Sequence, residues 1–123
     1  MKQTVYYSKI IEELNGIDTV TKYSNPELYK FSVSATAGTP EELSAGIVPN
    51  YDRYITSYDR TFKPEEGDVF WIDVTPELNE NGELVTEDDV PTVMPDYRLK
   101  KILDTSKGKV ARYGISKIGV ENE

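Results

Sequence analysis

Carboxylates are the side chains best placed to do chemistry in this chain: 123 residues carry 22 Asp and Glu against 14 Lys and Arg. Two groupings stand out. Asp52 and Asp73 each lie on a strand-like segment and could act as a paired acid and base. Glu77, Glu80, Glu83, Glu87, Asp88 and Asp89 gather within one polar stretch, where carboxylates could hold a hard cation. The spacing of that stretch does not follow the ligand positions of a calcium loop, so it reads as a solvated surface.

Other catalytic apparatus is missing by residue type. The chain has no histidine, which removes the usual general base near neutral pH, the commonest metal ligand and the Ser-His-Asp triad together. It has no cysteine, which excludes disulfides and thiolate zinc sites and fits a reducing compartment. No Ser-x-x-Lys stands on a predicted helix, no G-x-S-x-G elbow occurs, and Gly38 and Gly46 are isolated rather than part of a phosphate-binding loop. The expectation is a protein that is not an enzyme and takes no metal or cofactor.

Arg53 is a candidate of another kind. It alternates with Tyr51 and Ile55, which places a guanidinium on or near an apolar face, where an unpaired charge is expensive. Its partner is either Asp73 or Asp96 of the same subunit or a carboxylate of a neighbouring one. Trp71, Asp73, Arg98, Lys100 and Arg112 join it as candidate interface residues, and nine tyrosines against three phenylalanines suit an interface chemistry of rigid rings with polar tips.

The elements that must carry these residues are mostly strands. Val5 to Ile11 is β-branched and aromatic, with Ile10 to Leu14 open to a strand or a short helix, and Asn15-Gly16 closes the element in either case. A weak strand covers Thr19 to Lys22, and Ser24-Asn25-Pro26 is a turn. Leu28 to Thr36 alternates, with Tyr29, Phe31, Val33 and Ala35 on one face. Thr39-Pro40-Glu41-Glu42 is a helix-start signature and Gly46 a stop. Asn50 to Ser57 is the next strand, Lys63 to Gly67 a polar turn, and Asp68 to Val74 a strand apolar on both faces and therefore central. Pro76 to Asp89 reads as a long acidic loop in which Asn81-Gly82 could seat a hairpin turn. Tyr97 to Leu103 and Lys109 to Ile118 form a closing hairpin across Thr105-Ser106-Lys107-Gly108, with Ala111, Tyr113 and Ile115 on one face. The predicted fold is mainly β: a small barrel or sandwich with one short helix and a long acidic loop, in a single domain over residues 1–123.

The charge is unevenly spread. The formal net charge is −8, yet from Asp96 to Ile118 seven basic residues face two acidic ones, leaving the rest of the chain at −13. The total argues against a general nucleic-acid binder. Opposed charge zones suit head-to-tail contact between identical copies. No apolar run reaches membrane-spanning length, and the N-terminus lacks the apolar stretch of a signal peptide, so the protein is expected to stay soluble where it is made.

Taken in series, a strand entering a turn at Phe31 to Gly38, a short acidic helix ending at Gly46, Tyr51-Asp52-Arg53, Phe70-Trp71-Ile72-Asp73 with Pro76 after it, Asp96-Tyr97-Arg98-Leu99, and a last strand ending Ser116-Lys117-Ile118 resemble the head-closure (stopper, or head-tail connector) proteins of tailed bacteriophages. The resemblance covers about three quarters of the chain, from Tyr29 to Ile118; residues 1–28 lie outside it and Pro76 to Val93 does not align. It implies a small β-barrel that is part of the virion, made in the bacterial cytoplasm. The barrel would form a cyclic homo-oligomer at the head-tail junction, below the portal and its adaptor, and offer a surface to a tail completion or terminator protein. The family has no catalytic residues to carry over. A ring of acidic subunits would let duplex DNA pass without specific binding, with Glu77, Glu80, Glu83, Glu87, Asp88 and Asp89 facing the lumen. Two rival readings are a tail or baseplate structural component and an acidic inhibitor that mimics DNA; the basic C-terminal third speaks against the second.

Overall fold

The computed structural model describes residues 2–46, 48–59, 61–88, 90–106 and 110–118. Alternation of apolar and polar residues produces strands β1 (Lys2–Ser8), β2 (Ile10–Asn15), β3 (Asp18–Tyr23), β4 (Glu27–Val33), β5 (Arg53–Ser57), β6 (Val69–Trp71), β7 (Thr86–Glu87), β8 (Val90–Pro91), β9 (Tyr97–Ser106) and β10 (Val110–Lys117), with one helix, α1 (Pro40–Ser44). Six strands close into an antiparallel barrel in the order β1-β4-β5-β10-β9-β6, and β6 returns to β1. The expected mainly-β fold is the observed one.

The barrel is filled by the inward faces of its strands. Val5, Phe31, Ile55, Phe70, Leu99 and Ile115 are all at most 3% exposed. Phe62, from the segment between β5 and β6, plugs the interior: its ring lies 4.8 Å from those of Tyr29 and Phe31 and 5.1 Å from that of Tyr7. Such aromatic packing adds to simple area burial and stiffens a small core.

The seams of the barrel are unequal. β9 and β10 pair along their length, whereas β4 and β5 share only the rungs Ser32↔Thr56 and Val33↔Ile55. β6 and β9 also share two rungs, Val69↔Arg98 and Phe70↔Tyr97. That short seam is extended by side chain: the Asp96 carboxylate accepts the backbone N–H groups of Ile72 (2.8 Å) and Asp73 (2.9 Å).

The helix forms where the capping signature placed it. Glu42 N–H donates to the Thr39 hydroxyl (3.2 Å) and the Glu42 carboxylate accepts Thr39 N–H (3.0 Å), the reciprocal capping box.

The alternative left open at Ile10 to Leu14 resolves as a strand: β2 pairs with β3 from Ile10↔Tyr23 to Asn15↔Asp18, with Gly16 supplying the left-handed turn at φ 71°. This hairpin is a separate two-stranded sheet. Asp68 fixes its base, accepting Ile10 N–H (3.3 Å), Glu65 N–H (2.8 Å) and the Tyr7 hydroxyl (2.5 Å). The stretch Pro76 to Asp89 is not one long loop. Asn79 accepts Asn81 and Glu83 N–H through its side chain, Leu78 bridges Leu84, and β7 pairs with β8, so the segment folds into two small β-units. Finally β9 and β10 change register between Gly114↔Lys101 and Ile115↔Leu99, a bulge that reverses which residues of β9 face inward beyond it. The turn expected at Thr105 to Gly108 lies partly outside the described residues.

Candidate functional site

The residues singled out for chemistry or contact fall into three places on the barrel. Arg53 and Asp73, on β5 and just after β6, are brought together across the barrel's end: Nη1 lies 3.3 Å from Asp73 Oδ2. Arg53 is held more firmly from its other side, where Nε donates to the Ser34 carbonyl at 2.6 Å and the guanidinium carbon sits 5.6 Å above the Tyr97 ring. Of the two partnerships the sequence left open, the one within a single subunit is therefore present. Asp96, the other candidate, is occupied with the backbone of Ile72 and Asp73. Asp52 accepts Lys117 N–H at 2.8 Å, so Asp52 and Asp73 are each engaged with a different partner.

Trp71 is 0% exposed and its indole N–H donates to the Val93 carbonyl at 2.7 Å. This corrects its assignment as an interface residue: an outward-facing side chain on β6 is covered by the chain's own segment 76–95, whose Pro76, Pro91 and Pro95 are buried. That segment is an arm laid over the outside of β6. Leu84 N–H of the arm also reaches the Asn25 side chain at 3.2 Å.

The arm carries the acidic cluster. Glu77, Glu80, Glu83, Glu87 and Asp88 are all exposed; Asp89 lies outside the described residues. Glu77 accepts the Thr92 hydroxyl at 2.6 Å and Glu83 the Asn79 amide at 3.0 Å, so two of the carboxylates brace the arm itself. Among the described residues no group of three or more acidic, histidine or cysteine side chains is arranged to hold a metal ion.

The basic candidates lie on the neighbouring strands. Arg98 and Lys100 are exposed on β9, and Arg112 is half-buried on β10. Arg98 borders a groove between the β2–β3 hairpin and the turn before β6, opposite Glu12 and Glu65. Acidic arm and basic strand thus occupy adjacent sectors of one barrel, because β6 and β9 are neighbours.

Two residues escaped the sequence reading. Leu14 is 82% and Ile17 100% exposed, at the tip of the β2–β3 hairpin. The signal was present: apolar side chains directly flanking the Asn15-Gly16 turn cannot reach a core if the turn projects. No helix among the described residues is long and apolar enough to cross a membrane. The chain matches no family model, no curated protein and no solved structure.

Proposed function

We propose that this protein is a ring-forming structural component of a tailed bacteriophage, which closes the DNA-filled head at the head-tail junction and docks the tail. The order of its strand motifs supports the reading. The observation that carries it is the projecting β2–β3 hairpin, whose apolar tip of Leu14 and Ile17 stands in solvent beside a barrel with separate acidic and basic sectors. Large apolar side chains exposed together on a protruding element mark contact with another protein. Opposite charge zones on one subunit favour contacts that join unlike surfaces and so generate rings.

In this reading the arm's carboxylates face the channel, where they repel passing phosphates and keep the genome sliding. Replacing Glu80 and Glu87, the exposed carboxylates that do not brace the arm, by lysine leaves assembly intact and slows genome passage; unchanged ejection in such particles removes the lumenal role.

The decisive experiment is cryo-electron microscopy of the particle, with mass photometry of the purified protein alone and with a portal complex. The expected result is a ring at the neck and an oligomer that forms on the portal. A protein found at the tail tip, or one that stays monomeric with the portal and is missing from the particle, overturns the proposal.

A further inference from the structure

The weak seam between β4 and β5 leaves a stretch of open strand edge. In an antiparallel strand alternate residues turn both backbone polar groups to the same side. Ser34 N–H bonds to the Tyr54 carbonyl, so Ser32, Lys30 and Leu28 present their backbone to the β5 side as well. Ser32 meets Thr56 there, but β5 ends at Ser57, and no described residue bonds to the backbone of Lys30 or Leu28 from that side. Phe62 seals the interior behind the gap, so the opening is a surface feature and not a defect of the core. A groove of about 400 Å³ runs along the open edge. Leu28 and Tyr58 line it, 58% and 64% exposed, with Lys2 and Lys30; the one carboxylate in the lining, Asp59, accepts the Thr61 N–H and hydroxyl.

The same subunit carries an element of matching chemistry. Among the described residues the β2–β3 hairpin pairs with no third strand, and Asp68 holds Ile10 N–H at its base. Its tip is apolar at Leu14 and Ile17, and the exposed carboxylates Glu12 and Asp18 flank that tip. Open edges in soluble proteins are covered, charged or paired, and pairing with a strand of another molecule is a general mode of recognition.

We propose that the hairpin of one copy of this chain seats in the β4–β5 groove of the next. Leu14 and Ile17 lie against Leu28 and Tyr58, Glu12 and Asp18 face Lys2 and Lys30, and a hairpin edge pairs with the backbone of Lys30 and Leu28. The occupant is a second copy because the chain supplies both halves of the match, apolar to apolar and acid to base. The contact joins unlike surfaces, so it propagates head to tail and closes into a ring when the rotation permits. The inference names the subunit contact of the proposed ring and rests on that reading.

The absence of cysteine makes a direct test available. Ile17→Cys and Tyr58→Cys variants, both at exposed positions, are purified separately, checked for native circular dichroism, mixed at high concentration and oxidised. The expected result is a disulfide-linked dimer in the mixture, at least tenfold above either variant alone, and a ladder of oligomers from the double variant. Leu14→Cys with Lys2→Cys is the second pair. Adding Lys2→Glu and Lys30→Glu to the groove partner lowers the yield, and Glu12→Lys with Asp18→Lys on the hairpin partner restores it.

No mixed cross-link from either pair, or same-variant links of equal yield, overturns the inference. Rings seen on particles without these cross-links sink the contact and leave the head-closure reading standing. A cross-linked ladder from a protein missing from the particle does the reverse.

Discussion

The ring of Tyr51 packs against Gly114, so close that a β-carbon built on that glycine would stand 2.8 Å from the ring's Cγ. Tyr51 cannot move aside, because its hydroxyl donates to the Glu42 carboxylate of the capping box and accepts Gly38 N–H at 3.3 Å. The pair joins α1 to the outside of β10. Gly114→Ala is expected to destabilise the fold by about 1–3 kcal/mol, the usual range for overpacking a tight site. Urea denaturation measures it; a variant within about 0.5 kcal/mol of the parent, the range of an ordinary surface change, shows that the ring is free to shift.

Alkali should unfold this protein through its tyrosines. Burial, reinforced by a hydrogen bond to Glu27, pushes Tyr29 up to about 12, and burial with the bond to Glu42 pushes Tyr51 up to about 12. Burial raises Tyr7 and Tyr113 as well. A folded-state value above the unfolded one gives stability that is whole below about pH 10, the ordinary tyrosine value, and lost as pH climbs through the folded value. The window for Tyr29 and Tyr51 is therefore pH 10 to about 12. On the acid side, burial works to raise the Glu42 carboxyl, but hydrogen bonds from Tyr51 and Thr39 outweigh it and hold the group below its usual value. Its contribution is present above about pH 4.3, the ordinary glutamate value, and lost as pH falls through the folded value. Tyrosinate absorbance followed with circular dichroism checks the alkaline limb: a set of tyrosines that ionises only as the barrel melts is the expected result, and smooth ionisation of all nine before melting contradicts it.

Arg53 and Asp73 should respond unequally to truncation. Asp73 is 57% exposed at its side chain, so Asp73→Ala removes a solvated ion pair and costs about 0.2–1 kcal/mol. Arg53→Ala also strips the Ser34 carbonyl of its charged donor and uncovers Tyr97, and is expected to cost about 1.5–3 kcal/mol. Arg53→Lys recovers only part of this, since an ammonium cannot serve Ser34 and Asp73 from one rigid fork. Equal losses from the two alanine variants in chemical denaturation contradict this assignment.

The legible parts of the fold were those governed by local rules. Alternation placed Phe31, Ile55, Phe70 and Ile115 in the core, and Thr39 with Glu42 announced the only helix among the described residues. What escaped depends on distant partners. The bulge in β9 puts Leu103 opposite Arg112, and Leu103 is 6% exposed yet outside the central cluster; a period of two cannot reveal an extra residue that reverses it. β2 could be told from a helix only through pairing with β3. The sequence left Arg53 with three partners, and the structure's choice of Asp73 follows from how β5 and β6 meet at one end of the barrel. The hairpin tip was missed because apolar residues there resemble core residues until the turn is seen to project.

Trp71 gives the last test, because the covering arm depends on it. Its indole N–H holds the Val93 carbonyl, and Pro91 and Pro95, two residues to either side of Val93, are buried. Trp71→Phe keeps most of the apolar contact and removes the donor, leaving a partly buried carbonyl unmet at a cost of about 1 kcal/mol. The loss should be local: amide exchange quickens across residues 76–93 while the paired strands β9 and β10 keep their protection. The outcome separates two roles for one buried ring. If exchange rises uniformly over the barrel, Trp71 is a core residue whose loss loosens everything; if it rises in the arm alone, the arm is a separately anchored element that can be released while the barrel stays closed.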